Sequence, residues 1–238
     1  MDVAGTHEPV RVESQGLILR GFRPTDAADL LAAFADEDIA RWNPGPPGPE
    51  AVADFMAARN DWRDAHHASW AVADASDRLV GSVSLHKIDW DQADAEVGFW
   101  IAPWARRQSQ ATRSVVVASR FGFTQLGLHR VYLCHAVENF GSCGVARAAG
   151  FVLEGAPRQS FRYPDGVYHD EHLHALLSSD VDLEGCQATG STSATPSRDG
   201  CDHGTPSGRC PTVAGSSRGG QQDAAVPARP HLRLGGAA

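Results

Sequence analysis

The chain has 238 residues, 42% of them hydrophobic, a formal net charge of −8 and five cysteines. The acidic balance argues against nucleic acid as the main partner, because neutralising phosphates needs a basic face. No run of about 20 apolar residues is present to span a bilayer. The odd cysteine count and the start MDVAGTHEPVRVES, which holds no apolar leader, point to a reducing cytoplasm.

Composition divides the chain. From Val181 onward there is no Phe, Trp, Tyr or Ile, while Gly, Ser, Thr, Ala and Pro dominate. Such a segment cannot bury enough apolar surface to offset a backbone ordering cost of roughly 1–2 kcal/mol per residue. Residues 1–15 are therefore expected to form a flexible lead-in, 16–179 a folded domain and 180–238 a disordered low-complexity tail. From Val181 onward the acids (Asp182, Glu184, Asp199, Asp202, Asp223) are matched by as many arginines (Arg198, Arg209, Arg218, Arg229, Arg233), so the charge of −8 belongs to the domain. A cationic amine would be drawn to it.

Leu17–Arg20 reads as a first strand, and Thr25 is expected to cap a helix carrying Leu30, Leu31, Phe34 and Ile39 at helical spacing. The proline run from Pro44 to Pro49 stops it, and a second helix is expected over Glu50–His66. Trp70–Ala73 and Leu79–His86 are spaced as a hairpin, and Ala95–Ile101 follows as another strand. Thr112–Thr124 suits a helix ended by Gly127. Arg130–Ala136 alternates like a strand, Ser142–Ala149 reads as a short helix closed by Gly150, and Phe151–Leu153 resumes the sheet. Pro164-Asp165-Gly166 is a turn, and His172–Leu177 the last strand. This order predicts an α+β (mixed α/β) domain with helices on both faces of one sheet.

Three groups of residues carry chemistry. The loop Ile101–Thr112 opens a helix whose free N–H groups and dipole suit a phosphate group. Asn139 and Ser142 are favoured helix caps and hydrogen-bonding groups. The cluster His169-Asp170-Glu171-His172-x-His174 contains metal-ligand types, with His172 and His174 on one strand face. In the tail, Cys186, Cys201, Cys210 and His203 lack a paired Cys-x-x-Cys, so no zinc site is expected there.

The segment from Ala95 to Gly155, with Arg106, Ser109 and Ala111 in the loop and Asn139, Ser142, Gly150, Phe151, Glu154 and Gly155 after it, resembles the GCN5-related N-acetyltransferase (GNAT) superfamily. Within it, the likeness is to the branch that includes the ribosomal-protein acetyltransferases. The resemblance implies a GNAT fold, a central and mostly antiparallel splayed sheet of about seven strands with helices on both faces. It also implies acetyl-CoA as co-substrate and an amine acceptor, a protein N-terminus or a small molecule such as an antibiotic or polyamine. No metal is implied, since this family carries a similar acidic or His-rich entry to its last strand without one, and a homodimer is compatible with the family.

By the same resemblance, Arg106, Ser109, Gln110, Ala111 and Thr112 would hold the pyrophosphate. The main chain of Trp100 and Ile101 would face the thioester and pantetheine, which add to a sheet edge, although the side chains of Phe99 and Trp100 also read as core. Asn139 would bond the cofactor, and Ser142 would act as general acid to the leaving thiolate. Glu96 is the leading general base, with His135 and Glu138 behind it, and Tyr132 is a second acid candidate. The loop from Asp36 through Pro49 would border the acceptor. One position departs from the family: the central Gly of the loop is Ser109. If the backbone there is left-handed, Ser costs roughly 1–2 kcal/mol, and about 1.4 kcal/mol is tenfold in affinity. The rival reading is a non-catalytic or weakened CoA-binding or interaction domain.

Overall fold

The computed structural model describes residues 8–14 and 16–182. The expected tail, beyond Asp182, lies outside the described residues. Eight strands form one sheet: β1 (Val12–Ser14), β2 (Leu17–Arg20), β3 (His67–Ala73), β4 (Leu79–Asp89), β5 (Asp94–Ile101), β6 (Arg130–Ala136), β7 (Val152–Gly155) and β10 (Glu171–Leu177). Their spatial order is β1-β2-β3-β4-β5-β6-β10-β7. Every neighbouring pair is antiparallel except β5 with β6. A small hairpin, β8 (Phe161–Arg162) with β9 (Tyr168–His169), stands apart from the sheet. Its turn includes Gly166 at φ +80°, as the Pro-Asp-Gly sequence requires.

Helices cover both faces. On one, α4 (Gln110–Gln125) and α5 (Phe140–Ala148) bury Val115, Ala118, Phe121 and Ala146 against Leu19, Trp70, Val83, Leu85 and Leu133. On the other, α1 (Ala27–Phe34), α2 (Glu37–Trp42) and α3 (Val52–Asn60) pack Leu30, Ile39, Val52 and Met56 around Phe22, Leu79 and Trp100. Parallel β5 and β6 cannot be joined by a tight turn, and α4 supplies the crossover. Gly127 (φ +69°) and Gly150 (φ +88°) close α4 and α5 in the left-handed conformation expected of them. Among the described residues no helix is long and apolar enough to cross a membrane.

The first helical stretch differs from the sequence expectation. Pro24–Asp26 is a single 3-10 turn, and Thr25 caps nothing. The apolar pattern then divides at Asp36, whose Oδ1 accepts from the Ile39 N–H at 3.1 Å and so starts α2 as a separate helix. The second expected helix is shorter, ending at Asn60 rather than His66. The Asn60 carboxamide accepts from the Phe22 N–H and donates to the Phe22 carbonyl, both at 2.8 Å, which ties the helix end to the chain after β2. Strand β1 and the β8–β9 hairpin are too short for alternation to reveal.

Candidate active site

The parallel ladder between β5 and β6 has three rungs: Asp94 with Arg130, Ala95 with Val131 and Glu96 with Tyr132. Beyond it, β5 stays paired with β4 as far as Ile101 opposite Gly81, and β6 stays paired with β10 as far as Ala136 opposite Glu171. Each strand keeps its outer neighbour and loses the inner one. From Val97 to Ile101 the inner edge of β5 therefore has no strand partner, and a cleft of about 720 Å³ opens there. Gly98 leaves room on the sheet face for the His86 ring of β4, which a Cβ there would approach to 2.9 Å. Trp100 lines the cleft, but its side chain is core as the aromatic pattern suggested, edge-on to Phe34 at 5.3 Å.

Glu96, the last residue of β5 paired with β6, stands where the strands part. Its side chain is 13% exposed and forms an ion pair with Lys87 Nζ at 2.6 Å, with His86 Nε2 at 3.8 Å. His86 lies opposite Glu96 in the β4–β5 register. Burial holds its pKa below the ordinary imidazole value, with Glu96 opposing, which favours the neutral ring. Sequence reasoning missed His86 because only the register between strands reveals the pairing. On the facing strand the Cys134 thiol is pushed up to about 12, chiefly by burial and further by Glu96 and Glu171. Cys134 is therefore protonated and a poor nucleophile.

Asn139 and Ser142 reach the cleft from the start of α5. The Asn139 Oδ1 accepts from the Ser142 N–H at 3.0 Å, so the cap reading holds. This leaves the Asn139 amide hydrogens and the Ser142 hydroxyl as side-chain donors of that turn. The other candidates are engaged elsewhere. Glu138 is half-exposed and bonded to His169. His135 lines the cleft, but its Nδ1 is bonded to the Ala136 carbonyl at 2.8 Å. Tyr132 sits level with Glu96 in the ladder without lining the cleft.

The loop expected to bind phosphate lies past Ile101 and outside the cleft lining. Ser109 adopts φ +57° and ψ 15°, the left-handed conformation that a glycine there would accommodate freely, and Arg107 is also positive at φ 60°. The Ser109 side chain does not cap α4. The first-turn N–H groups of Gln110, Ala111 and Thr112 precede the first intrahelical hydrogen bond, as at any helix start. Gln110 is itself buried, its Oε1 accepting from Arg113 at 3.0 Å. The Arg106 guanidinium turns to Asp36 Oδ1 at 2.6 Å, with Asp38 at 3.7 Å. The Asp36 pKa is lowered: burial alone would raise it, and the Arg106 and Ile39 hydrogen bonds outweigh that.

At the other end Trp42, Asn43 and Pro44 line the cleft, which places the expected acceptor loop on its border. Glu171 is buried there, accepting from the Tyr163 hydroxyl at 2.9 Å and the Ser160 hydroxyl at 2.8 Å. The His-rich stretch does not act as one cluster. His169 bonds Asp165 and Glu138, Asp170 accepts from the Gln159 N–H, Glu171 enters the cleft, and His172 and His174 turn to His135.

Comparison with known proteins fits this geometry. Residues 16–152 match the family model described as an acetyltransferase (GNAT) domain. The chain is 34% identical over 110 residues to the spermidine N(1)-acetyltransferase of Vibrio cholerae, a match spanning 46% of this chain and 63% of that protein. It is 30% identical over 105 residues to the ribosomal-protein-serine acetyltransferase of Escherichia coli, spanning 42% of this chain and 56% of that protein. In both cases the matched stretch is less than two thirds of the relative's own length. The crystal structure of spermidine N-acetyltransferase from Vibrio cholerae in complex with CoA and spermine superposes with a TM-score of 0.61, at 25% identity, over 70% of this chain and 98% of that one. The matched family model, over more than half of the chain, establishes that the chain belongs to the GNAT acetyltransferase family, and the splayed sheet agrees with it.

Proposed function

We propose that this protein is an acetyl-CoA-dependent N-acetyltransferase that moves the acetyl group to a primary amine by direct attack within a ternary complex. The observation that carries this reading is the parting of β5 and β6 after Glu96, which brings an unpaired strand edge, a carboxylate and the Asn139–Ser142 turn to one cleft. Acetyl-CoA supplies an activated acyl group. The residues present fit it: the α4 N-terminus offers main-chain donors to the pyrophosphate, the inner edge of β5 at Trp100 and Ile101 offers main-chain groups to the pantetheine, and the Asn139 amide offers a side-chain donor. Arg106 would contribute after leaving Asp36.

In the transfer, β5 backbone N–H groups stabilise charge on the carbonyl oxygen. Glu96, with His86 beside it, takes the ammonium proton directly or through water, and the Ser142 hydroxyl gives one to the leaving thiolate. The high pKa of Cys134 argues against an acetyl-cysteine route. The step itself requires no metal. Buried Glu171 and the domain's negative charge favour a basic acceptor, a polyamine-like small molecule or a protein N-terminus. The free thiols of Cys134 and Cys143 suit a reducing cytoplasm. Release of CoA thiol by the full-length chain, assayed with acetyl-CoA and such amines, tests the proposal. The rival reading of a weakened CoA-binding domain draws on the left-handed Ser109.

A further inference from the structure

The core beside this cleft holds a group of side chains that acetyl transfer does not use. His135 on β6, Cys143 on α5 and His172 and His174 on β10 each offer one ligand atom, and the four atoms lie within 4.8 Å of one another. His174 is fully buried and His135 is 3% exposed. Among the described residues, both ring nitrogens of His174, Nε2 of His135 and Nδ1 of His172 have no hydrogen-bond partner. A buried polar atom left so costs about 1–3 kcal/mol, and native proteins rarely tolerate several together. The Phe151 carbonyl, an acceptor that raises the pKa of the His174 ring, lies on the His174 side without completing a hydrogen bond to either ring nitrogen.

The tautomer of His135 is fixed. The Ala136 carbonyl can only accept, so Nδ1 carries the proton and Nε2 presents its lone pair to the cluster. A second ring nitrogen held by a backbone carbonyl is how ligating histidines are oriented. His135 stacks on His174 with ring centres 5.4 Å apart and meets His172 edge-on at 5.3 Å. Burial lowers the pKa of His135 and His174, which favours the neutral, ligating ring.

We propose that His135, Cys143, His172 and His174 bind a zinc-class divalent transition metal that fastens α5 to β6 and β10. Three imidazoles and a thiolate suit zinc in a four-coordinate site. Tetrahedral zinc holds such donors roughly 3.3–3.6 Å apart, so a pair separated by the full 4.8 Å closes by about 1.2–1.5 Å. With every position taken by protein the ion is structural. Cys143 follows Ser142 directly, so the metal steadies the turn that carries Asn139 and Ser142. The family resemblance pointed away from a metal at the His-rich stretch, and two of the four ligands, His135 and Cys143, lie on other elements.

The test uses full-length chain carrying Cys186→Ser, Cys201→Ser and Cys210→Ser, which leaves Cys134 and Cys143 as its thiols. The protein is stripped with a chelator, reloaded with Zn²⁺, gel-filtered and assayed for metal, and a second portion is loaded with Co²⁺ for absorption spectroscopy. One zinc per chain is expected, with a higher Tm on loading and a thiolate-to-cobalt band that disappears in Cys143→Ser and persists in Cys134→Ser. Because Cys143 is buried, His172→Gln, at a half-buried position, is the second variant, and it should weaken zinc retention by about tenfold or more. Retention below about half an equivalent by the parent, or retention unchanged in both Cys143→Ser and His172→Gln, overturns the proposal.

Discussion

Glu96 pairs with Tyr132 as the last rung of the parallel ladder, and the two strands go separate ways beyond it. The residue that closes the ladder is thus also the carboxylate at the apex of the cleft. The proton chemistry proposed for the site follows from this position. Replacing Glu96 by Gln should lower kcat/KM for an alkylamine acceptor by about 10²-fold or more. The loss should be smaller for a peptide α-amine, because an alkyl ammonium has a pKa near 10.4 and an α-amino group one near 7.7–8.0. Raising the pH should partly restore the alkylamine rate. Steady-state kinetics on both acceptors check this, and equal losses would remove Glu96 from the proton path.

Ser142→Ala removes the proposed proton donor and leaves the Asn139 cap, which uses the Ser142 backbone N–H. The expected result is a fall in kcat of about 10²-fold with little change in the KM for acetyl-CoA. A rise in KM at unchanged kcat would make Ser142 a binding residue instead.

Ser109→Gly should stabilise the protein. Relief of a left-handed φ recovers roughly 1–2 kcal/mol, and the freer unfolded chain takes back about 0.4–1 kcal/mol. The middle of these ranges is a net gain of about 0.8 kcal/mol, which corresponds to a Tm rise of roughly 2–3 °C for a domain of this size. Calorimetric melting checks it, with isothermal titration of acetyl-CoA alongside. A lower Tm would show that the Ser109 side chain has a compensating role.

His169 provides a pH test. Its pKa is raised, first by the Asp165 hydrogen bond and then by Glu138, despite some desolvation. A group whose folded pKa is raised contributes stability that is fully present below its unfolded value near 6.5 and is lost as pH rises through the folded value. The β8–β9 hairpin, which packs His169 and Tyr163 on Trp42, should therefore loosen on the alkaline side. An NMR titration of the His169 ring and the hairpin amides should show both moving together above pH 6.5, and His169→Gln should flatten the amide response. A His169 midpoint below 6.5 would contradict this.

Much of the fold was legible because its long strands and α4 are periodic. The hairpin of β3 and β4, the caps at Gly127 and Gly150 and the turn at Asn139 follow from local residue chemistry. What stayed hidden depends on partners distant in sequence. The division between α1 and α2 turns on the Asp36 side chain choosing the Ile39 N–H. His86 gains meaning only opposite Glu96, and Glu171 only beneath Tyr163. The Ser109 position was identified as the departure from the family, but its left-handed backbone could be seen only in the folded loop.

Acetyl transfer to an amine in this cleft can be measured directly. The most direct test incubates full-length protein with acetyl-CoA and a panel of polyamines, basic antibiotics and N-terminal peptides, and follows release of CoA thiol with mass analysis of the acceptor. Thiol release matched by an acetylated amine, strongest for a basic acceptor and reduced in Glu96→Gln, is the expected result. Acetyl-CoA binding without acetylation of any acceptor would contradict the claim and leave a cofactor-binding domain in its place.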